Sequence, residues 1–192
     1  SHYFARLNQR LIAALSAPTA TGVLYEADMR LRPSGNAGPL ATSLTGFSTY
    51  QTRDAWTWEH LALTRSRVVY ADKGLSEIIE AEIAEILDAP RPRGKLIDDV
   101  IEMRARLFRD RKPRHAFDLK LAEGGLMDLD FIAQSAQLVN HKAIGLPHAP
   151  APEVFAHMGE LGWLPEAERL SAIYGQFSAI LQAMSACLVE PF

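Results

Sequence analysis

A single cysteine in 192 residues leaves no internal disulfide and no cysteine-built zinc site. Cys187 falls on an apolar helical stripe, which predicts a buried thiol. Six histidines are scattered without ligand spacing, so none is assigned to zinc. No apolar run approaches the roughly 20 residues needed to cross a bilayer, which speaks against a membrane role. A net charge of −3 speaks against nucleic acid as the main partner. A nucleophile elbow, a P-loop and a Rossmann glycine set are all missing. So are internal repeats and low-complexity tracts. The start, Ser1-His2-Tyr3-Phe4, has neither Met nor a basic-then-apolar leader. It opens inside an amphipathic pattern, as expected of a piece of something longer.

What is present is helical periodicity. Hydrophobic residues make up 48% of the chain, enough for one domain or one plus part of another. Residues 3–15 read as a helix with Phe4, Leu7, Leu11, Ile12 and Leu15 on one stripe. Residues 21–32 alternate with period two and read as a strand closed by Pro33-Ser34-Gly35. A Gly- and Pro-containing loop fills 36–43, with a short extended piece at 39–42. Further helices are expected over 44–51, from an Asp54 cap to about 70, and from Asp72 to 87. Beyond the Pro-rich break at 89–94, others are expected over 96–109, 126–141, 153–161 and 165–189. A basic loop, 109–115, and a short extended piece, 117–121, separate the first two of these. The expected architecture is mainly α: an up-and-down helical bundle over 44–192, preceded by a partial α+β remnant, one helix plus one strand, over 1–43.

Three segments could carry chemistry. In the first, Tyr-Glu-Ala-Asp-Met-Arg-Leu-Arg-Pro-Ser-Gly, a strand would send Glu26, Asp28, Arg30 and Arg32 to one face. Carboxylates suit Mg²⁺ alongside substrate phosphates, and guanidinium forks suit phosphate oxygens. The competing reading, stronger on pattern alone, is a solvated face crossed by ion pairs. In the second, Trp58, Leu61, Ala62, Arg65 and Val69 share a helical stripe, which aims Arg65 at an apolar interior. Such a charge needs a partner, either a phosphate or a carboxylate on another helix. In the third, Asp118 and Lys120 precede Gly124-Gly125 and a helix that starts with Asp128 and Asp130. Two glycines before a helix would let its N–H groups approach an anion that Lys120 could help neutralise. The alternative, favoured by pattern, is a tight turn with helix-capping acids. The basic loop reads as solvated, or as a dock for an acidic partner surface.

In this order the three segments resemble the glutamine synthetase adenylyltransferase family. The resemblance rests on Leu24 to Gly35, on Ala55-Trp56-Thr57-Trp58-Glu59-His60 with Arg65-Ser66-Arg67-Val68-Val69, and on Asp118-Leu119-Lys120 with Gly124-Gly125-Leu126 and Asp128-Leu129-Asp130-Phe131-Ile132. It threads most of the chain and weakens after about Val139. Related uridylyltransferases share a looser form of the third segment.

The resemblance implies a large cytoplasmic enzyme of two halves. Each half would hold a nucleotidyltransferase-fold domain followed by a helical domain. One half would transfer AMP from ATP to a tyrosine of glutamine synthetase, and the other would remove it by phosphorolysis. The regulatory signal protein PII would be a further partner. The Ser34-to-Gly38 turn and the Trp56-to-His60 run look more like the transferring half. In such a fold three carboxylates hold two Mg²⁺. Asp28 matches the third, with Glu26 less directly involved. Arg30, Arg32 and Arg65 would contact nucleotide phosphates, and Lys120, Gly124 and Gly125 would approach from the helical domain. Two departures stand out. The Gly-Ser turn with its Asp-x-Asp is missing here, so this chain alone is expected to be inactive. Asp130 stands where the family usually has Glu.

Overall fold

The computed structural model describes residues 2–20, 22–23, 27–115 and 117–187. It divides into two compact units, residues 1–59 and 60–192. Among the described residues helices dominate and the only sheet is one two-stranded ribbon. The expected mainly α fold with a small strand remnant is what the chain adopts.

In the first unit α1 spans His2–Leu15, as the stripe predicts. Its apolar stripe is nevertheless solvent-exposed, and none of its residues is buried. β1, Pro18–Thr19, pairs antiparallel with β2, Gly22–Val23. Here the expected strand over 21–32 is corrected. Ala27 to Met29 take no regular structure and Arg30 to Ser34 turn, while residues 21 and 24–26 lie outside the described set. The anticipated extended piece at 39–42 is also irregular. A 3-10 turn, Gly35–Ala37, follows. α2, Leu44–Arg53, starts at Ser43, whose Oγ accepts the Gly46 N–H at 3.1 Å.

Asp54 does not cap the next helix; it closes α2, donating its N–H to the Tyr50 carbonyl. α3 starts later and ends sooner than its periodicity suggests, at Thr57–Leu63. Its early end has local causes. Thr64 Oγ1 donates to the Leu61 carbonyl at 2.7 Å and Ser66 Oγ to that of Leu63 at 2.8 Å, substituting side chains for the next helical amides. The Val68 N–H, which a continuing helix would need, instead donates to Glu80 at 3.1 Å.

The second unit holds the core. α4 is Leu75–Asp88, α5 Arg93–Asp110, α6 Leu126–Val139, α7 His141–Ile144, α8 Ala151–Glu160 and α9 Ala167–Cys187. α8 and α9 form the most extensive pair, and α6 packs against α5, α8 and α9. Leu129 and Ala133 of α6 meet Val154 and Phe155 of α8, both wholly buried, with Ile144 and Ala149 closing the cluster. Burying side chains of this size contributes about 1.5–3 kcal/mol each. α4 buries Ile83, Ile86 and Leu87. Cys187, expected in the core, is exposed near the end of α9. Residues 117–121, expected to be extended, form turns around the Asp118 carboxylate.

Candidate functional site

From Asp28 onward the charged run of the first unit folds into a clasped loop. Asp28 and Arg30 do share a side of the chain, as the alternation implied, but they meet as an ion pair. Arg30 Nη2 lies 2.6 Å from Asp28 Oδ2, its Nε 2.9 Å from Oδ1, and its backbone N–H donates to the same Oδ1. Both side chains are exposed. The carboxylate raises the guanidinium's pKa further, mainly through this hydrogen bond. Arg32 is half-buried and turns inward. Its Nη1 donates to the Met29 carbonyl at 2.7 Å, its Nε to Gly38 at 3.2 Å and its Nη2 to Asn36 at 3.2 Å. The fork thus ties both ends of the turn together. Gly38 completes the closure, since a Cβ there would sit 1.9 Å from the Pro33 carbonyl oxygen.

Tyr50 and Glu59 support this loop. Tyr50 donates its hydroxyl to Glu59 Oε1 at 2.9 Å, and the Trp56 N–H donates to Oε2 at 2.9 Å. The second bond is half of a capping box, with the acid three residues into the helix reaching back to its start. Glu59 is buried and pays its desolvation with these two donors. Burial raises the Tyr50 hydroxyl pKa, opposed by a hydrogen bond from the Ser34 backbone.

In the second unit the glycine turn is built from its own backbone. The Asp118 carboxylate accepts the N–H groups of Lys120 at 3.2 Å and Leu121 at 3.0 Å. That is why 117–121 curls instead of extending. Burial pushes the Asp118 pKa up, but these bonds and one from Arg114, with nearby His115, hold it below the ordinary carboxylate value. Gly124 has φ +76°, a region disfavoured for any residue with a Cβ. Its N–H donates to Asp128 Oδ2 at 2.8 Å. Leu126 and Met127 donate theirs to the Leu119 and Lys120 carbonyls at 2.8 and 3.2 Å. The helix-start amides expected to face an anion are therefore occupied. Gly125 lets the strands of this turn touch: a Cβ there would lie 2.8 Å from the Leu119 oxygen and 2.9 Å from that of Ala122.

Arg104 of α5 locks the turn from outside. Its guanidinium pairs with both oxygens of Asp128 and donates to the Leu121 carbonyl at 3.1 Å. Arg65 sits just past α3, half-exposed, and reaches Asp130 at 3.4 Å. It does not point into an apolar interior as its stripe suggested, and the carboxylate that it meets lies on another helix, α6. Tyr174 of α9 donates its hydroxyl to the same Asp130 oxygen at 3.1 Å. Burial pushes Asp130's carboxyl pKa up, against the pull of Arg65, Tyr174 and Lys120. Lys120 itself is exposed. Arg104, Tyr174 and Tyr50 were not singled out from sequence, and Glu59 stood in the Trp56-to-His60 run without a role of its own. Arg104 had a visible signal, as an arginine inside the apolar spacing of α5. Glu59 had one too, three residues after Trp56, where a capping acid stands. Tyr50 and Tyr174 find their partners through contacts that local spacing does not show.

Two sets of predicted residues therefore form, Asp28–Arg30–Arg32 in one unit and Arg65–Lys120–Gly124–Gly125 around Asp128 and Asp130 in the other. Glu26 lies outside the described residues. Among the described residues no group of three His, Cys, Asp or Glu side chains is arranged to hold a metal ion. Asp28 supplies one carboxylate, already held by Arg30, and does not by itself fit Mg²⁺.

The first unit thus holds a clasped Arg-Leu-Arg-Pro-Ser-Gly loop, and the second an arginine-locked Gly-Gly turn among its helices. Residues 1–82 match the family model described as glutamate-ammonia ligase adenylyltransferase, and residues 98–175 match that described as GlnD PII-uridylyltransferase. The whole chain is 43% identical to a bifunctional glutamine synthetase adenylyltransferase/adenylyl-removing enzyme of Mesorhizobium japonicum, covering 20% of that protein. It is 47% identical over 98% of its length to the protein of the same name from Brucella suis, covering 19% of it. Over 78% of its length it is 54% identical to that of Rhizobium meliloti, covering 15% of it. By sequence the chain is thus a relative of the glutamine synthetase adenylyltransferases. It spans about a fifth of the length of the curated relatives that it matches end to end.

Proposed function

We propose that this chain is part of an enzyme that transfers AMP from ATP to a tyrosine of glutamine synthetase. In this reading residues 1–43 end the nucleotidyltransferase-fold domain of the transferring half, and 44–192 form its helical companion. The observation that carries it is the relationship along the whole chain to enzymes named for that transfer. PII is the proposed regulatory partner, supported by the match of 98–175 to a PII-uridylyltransferase model. The cytoplasm is the proposed location. Among the described residues, no helix is long and apolar enough to cross a membrane.

Asp28 is proposed as one carboxylate ligand of Mg²⁺, completed by residues of the longer enzyme, with Glu26 in support. When bound, Mg²⁺ would neutralise the triphosphate. Arg30, paired with Asp28 in the structure, would offer its guanidinium to phosphate oxygens. Arg32 would act by holding the loop, its fork remaining on the three carbonyls. Arg65, Lys120, Gly124 and Gly125 would edge the nucleotide from the helical side. Without the Gly-Ser turn and its Asp-x-Asp, the 192 residues alone are proposed to be inactive.

The test joins the chain to the upstream section of a relative and incubates the product with unmodified glutamine synthetase, ATP and Mg²⁺. Intact mass of the synthetase subunit should rise by one AMP, and Asp28→Asn should abolish the gain. The relatives' names also include adenylyl removal, which gives a second reading. Phosphate-dependent release of ADP from modified synthetase, with no transfer, would select that half. A folded, ATP-binding protein with neither activity would leave a non-catalytic helical module.

A further inference from the structure

α5 and α6 leave a groove along one side of their contact. At one end it is lined by Arg104, Phe108, Asp128, Phe131 and Ile132, around a hollow of about 720 Å³. At the other it is lined by Leu96, Ile97, Ala136, Val139 and Trp163, around a hollow of about 430 Å³. The start of α5 thus faces the end of α6, so the two helices run antiparallel. The lining positions step by three and four along each helix, which makes two matched stripes. Between Ile97 and Phe108 the groove runs roughly 17 Å, about three helical turns. Ile101 is 62% exposed and Ile132 45%, large fractions for isoleucines that face each other across a seam. Two antiparallel helices with exposed, matching stripes offer the seat of a third helix.

Charge selects the kind of helix. Asp128 is neutralised by Arg104, which leaves Glu123 as the lining acid. Arg93 stands at one end of the groove and Arg109 at the other, and among the described residues neither has a carboxylate partner. Beyond Arg109 the chain passes Asp110 and continues into Arg111, Lys112 and Arg114, all exposed, which leaves this end net basic even with Asp110 and Glu123 counted. The geometry points to this groove as the docking site of an amphipathic helix from a protein partner, apolar along one stripe and acidic at the end that meets residues 109–114. The apolar stripe supplies affinity, while the acidic end sets direction and speeds encounter.

The test uses the full chain and designed helical peptides of about 16 residues, long enough to span the groove. One carries Leu and Ile at helical spacing with Glu at one end. A second carries Lys in place of Glu, and a third has the first composition scrambled. Fluorescence anisotropy should show the acidic peptide binding at least tenfold more tightly than either control. Its advantage over the Lys peptide should shrink in 0.5 M salt, as screening removes the charge contribution. Ile101→Glu and Ile132→Glu change exposed positions and should keep the circular dichroism and thermal midpoint. Each should weaken the acidic peptide at least tenfold. Replacing Arg111, Lys112 and Arg114 with Ser should reduce the acidic peptide to the level of the Lys peptide. Equal binding of all three peptides, or full binding by both glutamate variants, would overturn the proposal. A chain that sediments as a dimer and becomes monomeric in Ile101→Glu would overturn it in favour of a second copy as occupant.

Discussion

Adjacent glycines with opposite problems make the clearest residue-scale test. Gly124 has empty space around it but a positive φ, so Gly124→Ala costs only strain, about 1–2 kcal/mol. Gly125 has an ordinary φ but would press a methyl onto two fixed carbonyl oxygens, so Gly125→Ala should cost roughly 2–3 kcal/mol. Urea unfolding of the two variants checks the order, and a larger loss at Gly124 would refute this account of the turn. Arg104→Met keeps the bulk but leaves Asp128 partly buried without its cation. It should cost about 2 kcal/mol, and a double-mutant cycle with Asp128→Asn should recover a coupling of at least 1 kcal/mol. Asp130 gives a pH test. Burial raises its folded pKa, so the folded state holds that proton more tightly than the unfolded chain. Its contribution is complete below the ordinary carboxylate value and is lost as pH rises through the raised one. Asp130→Asn should therefore gain stability relative to the parent between pH 4 and pH 7. An unchanged difference over that interval would show that Arg65 and Tyr174 fully offset the burial.

At the scale of elements, Glu59 holds the start of α3 through the Trp56 N–H and the Tyr50 hydroxyl. Glu59→Ala would leave the hydroxyl without its acceptor and uncap the helix, a loss of about 2–3 kcal/mol. Hydrogen exchange at Trp58 to Leu61 should speed up while α8 and α9 stay protected; equal acceleration in both regions would mean global destabilisation instead. α3 also shows what the sequence could and could not reveal. The helices of the bundle were legible because their apolar residues recur every three or four positions, and those faces are what the core buries. The spacing of Trp58, Leu61, Arg65 and Val69 continued past Leu63, but Thr64, Ser66 and distant Glu80 ended the helix there. Period two over 21–32 suggested a strand, and only Gly22–Val23 forms one among the described residues. A two-residue partner strand gives residues 27–32 nothing to pair with, and Arg32 draws that part of the chain into a turn instead. The candidate residues were visible by type. Their partners were not, because Asp130 meets Arg65 and Tyr174 across 65 and 44 residues of sequence.

Across the whole molecule, the two units differ in what they bury. Among the described residues, every buried hydrophobic belongs to the second unit, from Leu61 onward. In the first, among the described residues, only Gln51 and Glu59 are buried. α1 keeps Phe4 58% and Leu11 55% exposed, on a stripe that has the spacing of a core-facing helix. A helix of 14 residues without such a core is marginal in water. The first unit should therefore open at far lower free energy than the second. Limited proteolysis should cut within residues 1–59 first and leave a resistant product containing the second unit. Amide exchange in α1 should run close to the rate of an unstructured chain. Joined to the upstream section of a relative, α1 would gain an apolar surface for its stripe, and its protection should rise at least tenfold. Slow exchange in the chain alone would mean that α1 already has a cover. Fast exchange in the longer protein would remove the reason for reading 1–43 as the end of a catalytic domain.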